Sequence, residues 1–453
     1  MAKRRAGKVA TARSVAATVV ERVLRDEAFA AAALDAELER AVQLEERDRR
    51  LATELTYGTL RCRVLLETRL ASFASRGLRA LDPATLSHLL VAAYQLVVLD
   101  RIPAFAAVSE TVDLVRSARG EGMGRFVNAV LRRLSDEVSR QGKTRIDDAV
   151  SRSIHPWLLD RIRCALGSTE EATRYAIAGP WPPPASIRLR CAADRDLWRD
   201  RIAQAAPGAR IEPGKASPLS LVLTGAGHLA RLPGHGTEWI QQEEGSQLIG
   251  LALGARPGDI VLDACAGRGN KTSLLAMQVG EGGAVDAADL HASKLQIAQA
   301  HALALGVRVR ATCAVDWSVG VGDVQAVYDR VLVDAPCSGT GTLRRRPDLL
   351  SRDLQAALPD LRSKQVEILV RAASRCRPGG RVVYSVCSVL EEEAERVVQE
   401  AIRRDPSLQP APFDSPEAAA LAGSATTLRL LPHVHGTDGY FLASLRRKEE
   451  DPL

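Results

Sequence analysis

Two cysteines stand where chemistry would be expected. Cys337 ends the stretch "DRVLVDAPC" (329–337) and Cys387 ends "GRVVYSVC" (380–387); each follows an apolar, strand-like run and each is followed by serine. A single thiol at such a position is more simply a packed strand residue. Two of them at two strand ends, one behind an Asp-Ala-Pro punctuation, point to thiol chemistry. A thiolate adds to an electron-poor carbon and is later expelled, which is covalent nucleophilic catalysis. Free cysteine is only a few per cent ionised near neutral pH, with a pKa of about 8.5, so a cationic neighbour must favour the thiolate. The other cysteines, Cys62, Cys164, Cys191, Cys265, Cys313 and Cys376, are scattered without a C-x-x-C pair, which argues against a disulfide framework and a zinc ribbon. His433 and His435 in "LPHVHGTDGY" have no clustered third ligand, so no metal is expected.

A cofactor site is written in "VLDACAGRGNKT" (261–272), a buried strand, a glycine-rich turn and a helix start. Gly267 and Gly269 let the backbone approach a ligand. Asp289 ends the next strand, 20 residues beyond Gly269, where an acid holds ribose hydroxyls. A nicotinamide site wants G-x-G-x-x-G, but the third position is Thr272; a P-loop wants glycine before the lysine and at its first position, where Asn270 and Cys265 stand. S-adenosylmethionine remains, with Asp316 placed as a further acid near the adenine; an ordinary helix N-cap before "WSVG" explains Asp316 equally well. With a methyl donor, "DAPC" becomes informative. Methylation of an exocyclic amine is usually served by [DN]-P-P-aromatic at this place, and here a thiol replaces the aromatic ring. Carbon 5 of a pyrimidine is not nucleophilic until a thiolate adds at carbon 6 and makes it enamine-like.

The elements that must position these groups are legible in outline. A chain of 453 residues exceeds one hydrophobic core, so two or three domains are expected. Residues 11–140 carry helical periodicity, as in "SVAATVVERVL" with Val15, Val19 and Val23 on one face, and predict an all-α domain of six or seven helices. Residues 151–240 hold one more helix, "IHPWLLDRIRCAL", the stiff stretch "AGPWPPPAS", and short alternating runs that predict a small α/β segment. From about residue 240 strands and helices alternate, which predicts a doubly wound, Rossmann-like sheet with ligands at the C-terminal strand ends. The expected division is 1–145, 146–238 and 239–448.

Two resemblances sharpen this. "AAYQLVVLDRIPAFAAVSETVDLVR" followed by "GRFVNAVLRRL" resembles the NusB family of helical RNA-binding domains, through Tyr94, Gln95, Ile102, Pro103, Glu110, Phe126, Asn128 and their apolar neighbours. The apolar ones are expected to pack helices; Arg132 and Arg133 are candidates for phosphate contact. "DAPCSGTGTLRRRPDL", "RPGGRVVYSVCSVLEEEAERVV", "VLDACAGRGNKT" and the terminal "TDGYFLASL" resemble the RNA cytosine-C5 methyltransferases of the RsmB/Fmu/Sun type, and the NusB-like front end points to the bacterial 16S ribosomal RNA branch. The resemblance implies a class I S-adenosylmethionine-dependent methyltransferase. It makes Cys387 the nucleophile and Cys337 the thiol that assists product release, with Asp334 holding the cytosine edge beside the cofactor. It also implies cofactor binding by Cys265, Ala266, Gly267, Arg268, Gly269, Asn270 and Lys271, with Asp289, Asp316 and Asp334. Cytosine-C5 enzymes acting on DNA use a Pro-Cys thiol as nucleophile, which would give that role to Cys337. The chain departs from the family's usual C-A-A-P-G-G-K-T at Arg268 and Asn270, and has Val386 and Ala394 where threonine and asparagine are usual. Asn270 is expected to take up the left-handed geometry of the glycine it replaces.

The run Arg344-Arg345-Arg346 lies beside the Cys337 block and is a candidate RNA phosphate contact. A net charge of +6 and a pI near 9.0 suit a nucleic-acid partner, here 16S rRNA or a small-subunit assembly intermediate. No run of about 18 apolar residues crosses a membrane, and the basic start "MAKRRAGK" is followed by no apolar stretch, so a cytoplasmic, monomeric protein with a frayed basic arm is expected. The rival is a non-catalytic ribosome-assembly or antitermination factor with a degenerate methyltransferase domain.

Overall fold

The structure, a computed structural model, describes residues 10–178, 183–324, 327–352 and 354–449. The basic arm and most of the "GPWPP" part of the proline stretch lie outside the described residues. The chain divides into two compact units: one takes the chain up to Asp160 together with Leu343–Asp353, the other Arg161–Thr342 with Leu354–Leu453.

The first unit is helical: α1 Ala12–Asp26, α2 Ala30–Arg40, α3 Glu46–Arg61, α4 Arg63–Ala71, α5 Pro83–Val97, α6 Ala104–Arg119, α7 Glu121–Gln141 and α8 Ile146–Ser151, and the division falls within α9, Pro156–Leu166. Local chemistry starts these helices. Thr11 and Ser14 form a reciprocal capping box on α1. Asp82 caps α5 through the Thr85 amide, with Pro83 in the first turn. Helix α5 is the core, buried from Leu89 to Val97. Its Tyr94 hydroxyl donates to Glu54 at 2.6 Å, and its ring fills the space over Gly58, where an added Cβ would lie 2.1 Å from the ring. Gln95 accepts from Arg13, which pairs with Glu110. The NusB-like residues Tyr94, Gln95 and Glu110 therefore knit helices together.

Residues 343–352 belong to this unit. Leu343, Leu349 and Leu350 are buried, the Leu350 carbonyl accepts from the His155 amide at 2.9 Å, and the Arg346 guanidinium lies 4.8 Å over the Phe29 ring.

In the second unit α10, Thr169–Ile177, precedes a four-stranded antiparallel sheet of order β2-β3-β1-β4: β1 Ala185–Leu189, β2 Arg210–Pro213, β3 Ser220–Thr224 and β4 Trp239–Gln241, with α11 Arg195–Ala205 between β1 and β2. Its core holds Ile187, Leu189, Trp198, Ile202, Leu221, Leu223 and Trp239. This small sheet is tied to the helix after it: Gln247 of α12 (Glu244–Ala252) donates to the Ile187 carbonyl at 3.2 Å.

The main sheet comes next, with β5 Ile260–Asp263, α13 Asn270–Val279, β6 Ala284–Asp289, α14 Ala292–Ala304, β7 Ala311–Ala314, β8 Tyr328–Asp334, α15 Leu358–Ala373, β9 Cys376–Val386, α16 Glu395–Arg404, β10 Leu408–Pro410, α17 Pro416–Ala422, β11 Thr427–Leu430, α18 Pro432–His435 and β12 Tyr440–Arg447. The order is β10-β12-β9-β8-β5-β6-β7, with β11 paired to β12. Strands β5 to β9 run parallel and β12 antiparallel to β9. Val331, Leu332, Val333, Val382, Val383 and Tyr384 are fully buried, which is why these strands read as unbroken apolar runs: helices cover both faces. Chain order reverses between β5 and β8. The crevice beyond their C-terminal ends is the topological switch point, where ligands bind in such sheets. Among the described residues no helix is long and apolar enough to cross a membrane.

Candidate active site

The two thiols meet. Cys337 Sγ lies 3.2 Å from Cys387 Sγ, although they stand on separate loops after β8 and β9. Parallel register does this: Asp334 pairs with Ser385, so the residues just beyond each strand emerge side by side. The loops are also pinned to each other. The Gly341 amide donates to the Cys387 carbonyl at 2.9 Å, and the Gly439 amide donates to the Gly341 carbonyl at 2.7 Å. A Cβ on Gly341 would fall 1.8 Å from the Gly439 carbonyl oxygen, so the glycines of "SGTG" and "TDGY" are there for backbone contact.

Beside the thiols, Lys271 Nζ lies 2.5 Å from Asp334 Oδ2, while Ser385 Oγ donates to Asp334 Oδ1 at 2.8 Å. Burial works against the Lys271 ammonium, but Asp334 first, then Asp263 and Cys387, outweigh it and hold the lysine above its usual value. Lys271 thus places a cation beside the Cys387 sulfur. Cys337 has the opposite surroundings. Its hydrogen bond with Cys387, its burial, and the charges of Cys387 and Glu393 push it well above the ordinary thiol value.

A cavity of about 460 Å³ opens next to Asp334, lined by Cys265, Gly267, Asp289, Lys294, Asp316, Trp317 and Lys364 among others. Asp289 accepts from the Gly267 amide at 3.0 Å and the His291 amide at 2.9 Å, which fixes its carboxylate at the cavity wall. Among the described residues no helix follows Asp316 directly; it caps a turn by accepting from the Ser318 amide at 2.9 Å, and it lines the cavity. Hydrogen bonds from Ser318 keep its carboxyl below the usual value. The glycine turn differs from expectation at two points. Left-handed backbone falls at Gly267 (φ 56) and Gly269 (φ 85), whereas Asn270 is the first residue of α13 and needs no such geometry. Gly269 also serves packing: a Cβ there would lie 2.6 Å from the Ala298 side chain, so it allows α13 and α14 to approach. Ala266 is buried behind the turn, and Arg268 points outward, exposed.

The basic candidates separate. Arg132 and Arg133 are exposed on α7. Arg344 is only 6% exposed, Arg345 is half-buried and Arg346 stacks on Phe29. The triple-arginine run is a packed segment of the helical unit, and Arg344 presents no free guanidinium to a phosphate.

Sequence reasoning missed several residues behind the site. Glu393, Gln365 and Ser338 form a buried network under the Cys337 loop. Asp263, inside the quoted "VLDAC", is buried and accepts from Thr272 Oγ1 at 2.7 Å, with its other oxygen unpartnered. Burial raises its pKa from 3.8 to about 6, against the opposing Thr272 hydrogen bond and Lys271 charge. The raised value favours the protonated form in the folded state. Its contribution to stability is full below 3.8 and lost as pH rises through about 6. Asp263→Asn should therefore match the wild type near pH 4. At pH 7.5 it should exceed it by up to about 3 kcal/mol, read from urea unfolding at both pH values.

A mostly parallel sheet with its crevice at the switch point, Asp289 ending β6 and a cavity between the glycine turn and Asp334 define a Rossmann-like methyltransferase fold. Residues 250–446 match the 16S rRNA methyltransferase RsmB/F family, and residues 10–136 match the NusB family. The probable ribosomal RNA small subunit methyltransferase B of Bacillus subtilis is 32% identical over 425 residues, covering 90% of this chain and 92% of its own. The ribosomal RNA small subunit methyltransferase B of Pseudomonas putida is 32% identical over 442 residues, covering 96% and 98%. One crystal structure, 21% identical, covers 99% of this chain and 100% of its own with a TM-score of 0.79. The crystal structure of NSun6 from Pyrococcus horikoshii with SFG, 18% identical, covers 66% and 99% with a TM-score of 0.56. The chain belongs to the RsmB/F family of RNA methyltransferases.

Proposed function

We propose that this protein methylates carbon 5 of a cytosine in 16S ribosomal RNA, with S-adenosylmethionine as donor, through a covalent Cys387 adduct at carbon 6. The observation that carries the reading is the pair of thiols at 3.2 Å beside the Lys271–Asp334 pair. A non-catalytic assembly factor would have no need of two sulfurs held in contact next to a buried cation.

S-adenosylmethionine supplies an electrophilic methyl group, and the cavity has the acids for it: Asp289 for ribose hydroxyls and Asp316 for the adenine end. The Cys387 thiolate, favoured by Lys271, adds to carbon 6. The C5–C6 pair moves so that carbon 5 takes the methyl. Asp334, held by Lys271 and Ser385, accepts from the exocyclic amine and fixes the ring edge. In release the C5 proton leaves to water and its bonding pair restores the C5–C6 double bond. The C6–S pair returns to Cys387, whose sulfur receives the Cys337 proton across their contact. Water returns a proton to Cys337, the Cys387 thiol gives its proton back to water, and one proton is released per turnover. The base must be out of any stack for its face to meet the thiol, so the substrate is a loop or single strand.

Bisulfite mapping of 16S rRNA from a strain lacking this protein tests the reaction; one cytosine should lose its protection, and unchanged protection at every cytosine would reject it. Asp289→Ala should weaken S-adenosylmethionine binding about tenfold or more by calorimetry, the scale of a lost charged hydrogen-bond acceptor. Arg132→Ala with Arg133→Ala should weaken RNA binding and lower the slope of log affinity against log salt by about 2, one per lost phosphate contact, leaving cofactor binding unchanged.

A further inference from the structure

Glu393 has no place in the steps above, yet it is fully buried under the thiol loops. Among the described residues its carboxylate takes neutral donors: the Ser338 amide at 2.7 Å, the Ser338 hydroxyl, and Gln365 Nε2 at 3.0 Å. The same Gln365 nitrogen donates to the Pro336 carbonyl at 2.9 Å. Glu393 thus grips both neighbours of Cys337, Ser338 directly and Pro336 through Gln365. From Ser338 the network continues through Thr340 to Ser388, beside Cys387, with hydroxyl contacts of 3.3 Å and 2.9 Å. Tyr384 donates to the Glu393 carbonyl at 2.7 Å, which fixes the segment that bears the carboxylate.

Burying a carboxylate without a cation costs several kcal/mol of desolvation, roughly what apolar packing of the same volume would avoid. The polar groups around it, Ser338, Thr340, Gln365 and Ser388, are neutral, so the carboxylate calls for a reason beyond packing. Its position supplies one, because the charge sits next to the sulfur that must keep its proton.

We infer that Glu393 is the positioning residue for product release: through Ser338 and Gln365 it holds the Cys337 thiol against Cys387, so that the departing sulfur finds its proton. The inference rests on the assignment of the two thiols given above. Its negative charge is also among the causes that keep Cys337 protonated, after the Cys387 hydrogen bond and burial.

The test uses the full chain, a 16S rRNA transcript and S-adenosylmethionine, with denaturing electrophoresis to read covalent protein–RNA complex and a methyl count on the RNA. A purely structural role predicts loss of adduct and methylation together. Positioning predicts a different signature. Glu393→Ala should accumulate complex about tenfold or more over the wild type, with the trapped RNA already methylated and turnover stopped after one cycle. Gln365→Ala, which cuts the link to Pro336, and Ser338→Ala, which removes the hydroxyl contact but keeps the amide one, should each trap to a smaller extent, the second least. They decide the matter if Glu393→Ala does not fold. Cys337→Ala is the reference. If it traps and none of the three variants does, the inference is overturned while the thiol assignment stands. If Cys337→Ala itself does not trap, the thiol assignment fails, and the inference with it.

Discussion

Cys387→Ala is expected to lose methylation altogether, on the order of 10⁴-fold or more, as when other covalent catalysts lose their nucleophile. Without a thiolate at carbon 6, carbon 5 has no electron density to offer, and nothing else near the site replaces it. Cys337 is 3.2 Å away, but its surroundings hold it as a thiol. The variant should form no covalent complex with RNA and should bind S-adenosylmethionine as the wild type does, because Cys387 does not line the cofactor cavity. Retained binding separates lost chemistry from lost folding.

Cys337→Ala should behave in the reverse way. Adduct formation and methyl transfer depend on Cys387, Lys271 and Asp334, all still present. Release does not proceed, since the departing sulfur lacks its proton donor. Steady-state turnover should fall by about 10²-fold or more, the usual span of general acid catalysis. A protein–RNA complex should survive denaturing electrophoresis, in a ratio to enzyme near one. Should Cys387→Ala be the variant that traps RNA, the roles are exchanged and Cys337 is the nucleophile.

Much of this site is legible in the sequence, for a physical reason. Strands β8 and β9 are covered on both faces, so they appear as apolar runs, and the residues just after them must emerge at the switch point. Cys337, Cys387, Asp334 and Asp289 can be placed by that logic. The residues that escape it depend on partners distant in the chain. Arg344 to Arg346 read as a phosphate-contact run; only folding brings Phe29 under Arg346 and buries Arg344. Glu393 closes a run of three glutamates, and only its neighbours Ser338 and Gln365 reveal it as internal. Analogy with glycine puts Asn270 in left-handed backbone, but one residue of phase decides the matter: the turn is completed at Gly269, and Asn270 already lies in the helix. The division into parts is obscured too, since the proline-rich stretch looks like a boundary while the actual division falls inside α9.

The segment 343–353 returns the chain to a unit otherwise finished by Asp160. On the ribosome this orders events. Roughly 190 residues separate the two contributions, so at typical elongation rates about 10–40 s pass before the helical unit can be completed. During that interval the contacts of Leu349 and Leu350, and of Arg346 with the Phe29 ring, are missing. The emerging strands β1 to β8 are synthesised in the meantime. A protease pulse on stalled nascent chains should find the helical unit cut readily up to about residue 340 and protected once residue 353 has cleared the exit tunnel. The same threading means that no single cut frees either unit intact, and an insertion or fusion between residues 343 and 353 would disturb the helical unit although it lies within the catalytic sequence.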